Sequence, residues 1–137
     1  MKKHIFTFLL TLFSFLSWAQ SKPIRIVFDV TSKDTLIHQA TIRHVSLESI
    51  AHPDALLEVV IYGGSLNMVV KNKSVVAPGV QLLMSNKNVS IKVCAETMKR
   101  YNIDKSQLLS GVQVVPDGIV EIVEKQGEGW GYIKEAH

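Results

Sequence analysis

The stretch Val89-Ser90-Ile91-Lys92-Val93-Cys94-Ala95-Glu96-Thr97-Met98 decides how this chain is read. Val89 to Val93 is rich in β-branched residues, which suit a pleated strand. From Cys94 to Tyr101 the composition turns to helix formers, and Asn102 is a residue that tolerates the left-handed conformation closing a helix. A strand that runs straight into a helix is half of a β-α-β unit. The same alternation recurs on both sides of it.

Upstream, Ile24 to Val30 (IRIVFDV) reads as a strand of near-continuous apolar character. Thr31-Ser32-Lys33-Asp34 matches a capping box, with Thr31 as N-cap and Asp34 three residues on. A helix is expected to follow to about Ala51, with an apolar stripe along Ile37, Ala40, His44, Leu47 and Ala51. Pro53-Asp54 breaks it. Leu56 to Tyr62 (LLEVVIY) is the second strand, ended by Gly63-Gly64. Short helical pieces are expected at Ser65 to Val70 and, after Pro78-Gly79, at Val80 to Asn86. Downstream, Asp104 to Gln107 caps a single turn and Gly111 to Val115 is the fourth strand. Pro116-Asp117 starts a last helix that runs through Gln126 and stops at Gly127. Trp130 to Ile133 closes the chain as a short edge strand. Apolar strands alternating with helices predict an α/β fold: a mostly parallel five-stranded sheet between helical layers, α/β/α.

The domain so outlined does not start at residue 1. Met1-Lys2-Lys3-His4 is basic, Ile5 to Leu16 is apolar, and Ser17-Trp18-Ala19 sets small residues before Gln20. This is the three-part pattern of a secretory signal peptide. The apolar run is shorter than the roughly 20 residues that span a bilayer. Residues 1–19 are therefore expected to be removed, which leaves one domain over 20–137 in the periplasm or outside the cell. No cysteine follows the cut, so no lipid anchor is expected. The whole chain carries 15 basic and 12 acidic residues. Loss of Lys2 and Lys3 lowers the net charge from +3 to +1. With no basic stripe and only 7% aromatic residues, the composition argues against nucleic-acid binding.

In parallel sheets, ligands bind beyond the carboxyl ends of the strands. Those ends bring Asp29, Tyr62, Gly63, Gly64, Cys94 and Asp117 to one edge. Cys94 is the only cysteine. A helix start favours the thiolate through unpaired N–H groups and the dipole. Glu96 in the first turn opposes this, and Lys92, on the same strand face by period two, offsets Glu96. The residues leave the balance open between a reactive thiol and a small buried hydrophobe. Gly63-Gly64 suits a turn or a close approach of backbone to ligand. Asp117 suits a helix N-cap. His44 reads as a satisfied, partly buried histidine. Glu121, Glu124 and Lys125 read as a solvated helix face, and Trp130 and Tyr132 as packing residues. No histidine pair has metal-ligand spacing, and no phosphate loop or Ser/His/Asp signature occurs. Neither metal nor cofactor is expected.

Several ordered segments resemble the DsrE/DsrF-like (YchN-like) family: Val59 to Gly63, Val93 to Met98, Tyr101-Asn102-Ile103, Val112 to Val115, Gly118 to Ile122, and Lys125 to Ile133. The resemblance covers most of residues 24–134. It implies a compact α/β fold with a mostly parallel five-stranded sheet and assembly as a homo-trimer or hexamer. It also implies that Cys94, which matches the family's sulfur-relay cysteine, accepts sulfur as a persulfide and passes it to a partner thiol. Relay members work in the cytoplasm, whereas this chain carries an export pattern. With one cysteine, the second thiol has to come from an external partner or another subunit. The alternative is a non-catalytic oligomeric module that binds a small ligand and keeps Cys94 as a buried structural residue.

Overall fold

The computed structural model describes residues 22–136, so the expected export segment lies outside the described residues. The chain runs β1 (Arg25–Val30), α1 (Thr35–Ala51), β2 (Leu56–Ile61), a 3-10 segment (Gly63–Val69), α2 (Ala77–Met84), β3 (Val89–Cys94), α3 (Ala95–Arg100), a 3-10 turn (Lys105–Gln107), β4 (Gln113–Val115), α4 (Gly118–Gly127) and β5 (Gly131–Glu135). The five strands form one sheet in the order β4-β3-β2-β1-β5. All four pairings are parallel. The chain steps from β1 outward to β4. It then recrosses the whole sheet through α4 to add β5 at the far edge.

Side-chain alternation along the strands gives the sheet two unlike faces. One carries Phe28, Val30, Val59, Ile61, Ile91 and Val93. It packs against Ile37 and Val45 of α1, Val80 and Leu83 of α2, and Met98 of α3 in one large apolar cluster. The other carries a small cluster of Val27, Val60 and Ile122, flanked by Tyr62 and Trp130. Asp29, Glu58 and Lys92 share that second face. Helices therefore cover both sides, as the alternation predicts, but among the described residues α4 alone covers the polar side.

Several local expectations are corrected. α1 begins at Thr35 with Asp34, not Thr31, as N-cap. The Asp34 carboxylate accepts from Leu36 N at 2.8 Å. Thr31 is taken elsewhere, because its hydroxyl accepts from Lys134 Nζ at 2.8 Å. The inward face of α1 is Ile37, His38, Thr41 and Val45, rotated from the expected stripe, and Leu47 lies outside. Polar groups can turn inward when bonded locally. The His38 ring nitrogen Nε2 lies 2.8 Å from Ser32 O, and the Thr41 hydroxyl donates to Ile37 O at 2.8 Å. His44 is 46% exposed and reaches the buried carboxylate of Glu135 at 3.0 Å. α2 starts at Ala77, with Pro78 in its first turn, where a missing N–H costs nothing. β4 is shortened to Gln113–Val115, and β5 is shifted to Gly131–Glu135. Two expectations hold at residue level: Asn102 is left-handed at φ 52°, and Asp104 closes a capping box with Gln107.

Candidate functional site

Because every strand is parallel, Val30, Ile61, Cys94, Val115 and Glu135 end at one edge of the sheet. The turn after β2 shows why glycine follows Tyr62. Gly63 adopts φ +61°, a conformation that side chains disfavour. A Cβ on Gly64 would lie 3.0 Å from Thr31 O and 3.1 Å from Lys33 N. The pair lets this turn press against the β1–α1 loop. Thr97 of α3 holds the turn by accepting from Gly63 N at 3.0 Å, and the Ser65 hydroxyl donates to Val30 O at 2.6 Å.

Cys94 is the last residue of β3, paired with Val115 of β4, and it is the N-cap of α3, where it makes no side-chain cap bond. It is 5% exposed and not bonded in a disulfide. α4 covers it. A Cβ added to Gly118, the first residue of α4, would lie 3.2 Å from the Tyr62 ring, 3.3 Å from Cys94 Cβ and 3.3 Å from Val60. Glycine lets the helix backbone sit this close to the thiol-bearing residue, and a larger residue would require these neighbours to give by a few tenths of an ångström. Asp117 caps α4, accepting from Ile119 N at 2.8 Å and Val120 N at 3.4 Å.

Beside Tyr62 a second group spans β1 and β5. Asp29 is buried and accepts from Tyr132 Oη at 2.6 Å and from Lys134 Nζ at 3.0 Å. Burial and the charge of Asp29 push the Tyr62 phenol up to about 12. The hydrogen bond to Asp29 does the same for Tyr132, also to about 12. Both phenols stay protonated at neutral pH, and Tyr132 donates to Asp29. Asp29, Tyr62 and Tyr132 line a recess of about 260 Å³ whose far wall is Ile119, Ile122 and Val123 of α4. Of the sequence-predicted edge residues, the fold brings Asp29 and Tyr62 to this recess and sets Cys94 and Tyr62 both beside Gly118. Gly63, Gly64 and Asp117 shape the turns around it and do not line it. A larger recess of about 580 Å³ opens beside α3, between Ala95, Met98, Asn102 and Asp104. Cys94 lines neither.

Sequence reasoning missed a buried charge network beneath α4. Lys92 Nζ lies 2.9 Å from Glu58 and 2.6 Å from Glu121, and Lys125 lies 3.9 Å and 3.8 Å from the same two carboxylates. The Glu58 side chain is 3% exposed. Burial raises its pKa above the usual carboxylate value; Lys92 pulls it back, and the neighbouring Glu121 adds to the rise. Burial works in the same direction on Glu121, but its bonds to Lys92 and Glu58 and the charges of Lys92 and Lys125 together outweigh this and hold it low. Burial disfavours the Lys92 charge, yet the two carboxylates hold its pKa above normal. Glu58 Oε1 has no hydrogen-bond partner among the described residues. Glu121 and Lys125 are thus not a solvated face. α4 meets a charged sheet face, so its inward side is itself charged. Lys92, committed to these carboxylates, is not the thiol's counter-ion. Among the described residues, no group of three or more His, Cys, Asp or Glu could hold a metal ion.

The pattern of the DsrE/DsrF-like family matches residues 26–134. A protein of unknown function from Methanobacterium thermoautotrophicum, MTH1491, superposes with a TM-score of 0.76 at 30% identity. The match covers 81% of this chain and 98% of that one. The YchN protein of E. coli superposes at 0.67 with 14% identity over 83% and 99% of the two chains. A conserved protein of unknown function from Bacteroides thetaiotaomicron, BT1422, gives 0.63 at 12% identity over 80% and 93%. At those identities the last two bear on the fold alone. No curated protein matches the chain.

Proposed function

The chain belongs to the DsrE/DsrF-like family, and on that premise we propose that it is an exported, homo-oligomeric thiol protein whose Cys94 carries sulfur as a persulfide. The observation that carries the reading is the position of the only thiol. Cys94 ends a central-region strand at the carboxyl edge of the sheet, where Gly118 of α4 closes on both Cys94 and the Tyr62 ring that lines a 260 Å³ recess. The chemistry needs nothing further from the chain. The Cys94 thiolate attacks the outer sulfur of a donor persulfide, an S–S bond forms on Cys94, and the donor thiolate leaves. A thiolate of a partner protein then attacks the outer sulfur and releases the Cys94 thiolate.

The test is to incubate the purified protein with polysulfide and weigh it intact. A gain of about 32 Da, one sulfur atom held as a reversible thiol cap, is expected in the native chain and absent in Cys94→Ser. No such gain in the native chain overturns the carrier reading.

A second reading has its own support. Cys94 is 5% exposed, as suits a structural thiol in a module that binds a small ligand at the recess. On this reading the native thiol alkylates far more slowly than the denatured one at every pH and takes up no sulfur.

A further inference from the structure

A thiol that exchanges sulfur with external molecules has to be reached, and Cys94 lies under α4. How α4 is held decides how it is reached. Of its ten residues, only Gly118 and Ile122 are buried. Ile122 is its single apolar anchor, set on Val27 and Val60. Ile119, Val120 and Val123 are at least half exposed, Ile119 and Val123 on the open recess. Gly118 lies close on Tyr62, Cys94 and Val60, and the other adhesion is ionic, from Glu121 and Lys125 to Lys92 and Glu58. The first turn is capped by Asp117, its own neighbour in the chain, so its polar groups stay satisfied if the turn moves. β4, which leads into it, has only three residues and lies at the sheet edge. Gly129, at φ +86°, marks the far end. By contrast, α1 and α2 are anchored in the large apolar cluster of the opposite face.

We propose that α4 is a cover held by one apolar anchor and one ionic latch, and that its first turn lifts from the sheet to open Cys94 to a sulfur donor or acceptor. Its purpose rests on the carrier reading; the opening itself does not. Locally weak elements open without global unfolding, and such opening exposes little surface and depends little on denaturant. An element on the other face remains folded in the open form. Destabilising that face therefore leaves the opening equilibrium unchanged, while weakening the α4 contacts shifts it.

The experiment measures alkylation of Cys94 by iodoacetamide, a small neutral reagent, in the native protein across urea concentrations below the unfolding transition. Four proteins are compared: wild type, Ile122→Ala, Glu121→Gln, and Val45→Ala as the opposite-face control, since Val45 is fully buried in the large cluster. In wild type, a rate below that of the unfolded chain and nearly independent of urea is expected. Ile122→Ala and Glu121→Gln raise it at least about tenfold, which corresponds to about 1.4 kcal/mol. Val45→Ala leaves it unchanged although it lowers global stability. The proposal is overturned by any of three results: a wild-type rate equal to that of the unfolded chain, a urea slope equal to that of global unfolding, or acceleration by Val45→Ala as large as by Ile122→Ala. Rapid opening together with no persulfide adduct would remove the carrier reading and leave the cover standing.

Discussion

Lys92→Met tests whether the charge network under α4 is held together as described. The substitution keeps an unbranched apolar stem and removes the ammonium that lies 2.9 Å from Glu58 and 2.6 Å from Glu121. Only Lys125 remains, at 3.9 Å and 3.8 Å. Removing one partner of a buried ion pair costs about 3–5 kcal/mol, because the other charge stays behind without compensation. Lys92 is 15% exposed and Lys125 persists, so a loss near the low end, about 3 kcal/mol, is expected at about pH 7. Against a typical total of about 5–15 kcal/mol this is a large share. With a urea m-value of about 1–3 kcal/mol/M, it lowers the unfolding midpoint by roughly 1–3 M.

The pH dependence follows from Glu58. Its folded pKa is raised, so its contribution to stability is fully present below the unfolded value of 4.5 and is lost as pH rises through the folded value. A protonated Glu58 has no need of the ammonium. The penalty of Lys92→Met therefore shrinks as the pH is lowered from about 7 toward 5, where Glu121, held low, is still ionised. The assay is urea unfolding by circular dichroism at both pH values. A loss under about 1 kcal/mol, the range of a surface pair, or a loss that grows toward pH 5, refutes the reasoning.

Two further outcomes are expected. Gly118→Ala forces a methyl to within 3.2–3.3 Å of Tyr62, Cys94 and Val60 and costs about 1–3 kcal/mol in thermal unfolding by overpacking; a stabilised variant would show that α4 does not press on Cys94. Tyr62 and Tyr132 hold their phenol protons to about 12, so ultraviolet titration shows two late-ionising tyrosines, and Tyr132→Phe removes one of them. Raised phenol pKa values contribute stability below the unfolded value of 10.0 that is lost as pH rises through about 12, and midpoints that do not fall over that window would count against the Asp29 cluster.

Much of the site was legible residue by residue. Cys94 at the end of a strand, Asp117 as a cap and Gly63 as a turn follow from local chemistry that acts within a few residues. The α1 register was not legible, because Asp34 and Thr31 are both good caps. Asp34 serves, and the Thr31 hydroxyl instead accepts from Lys134, more than a hundred residues away. The charge network left a signal that can be read in retrospect. Glu58 and Lys92 are each the single charged residue of an otherwise mostly apolar strand, and they fall in phase with Val60 and Cys94 by period two.

By itself, the sequence determined the alternation of strand and helix, the parallel α/β class and the position of the lone thiol at a strand end. Those depend on periodicity, β-branching and turn residues, which act locally. Only the tertiary structure decided that Cys94 is covered, and by what. The last helix recrosses the sheet, so its first glycine meets residues 24 and 56 positions earlier in the chain, Cys94 and Tyr62. Its lysine and glutamate meet Glu58 and Lys92. Contacts between residues that far apart exist only after the sheet has assembled, and no local pattern encodes them.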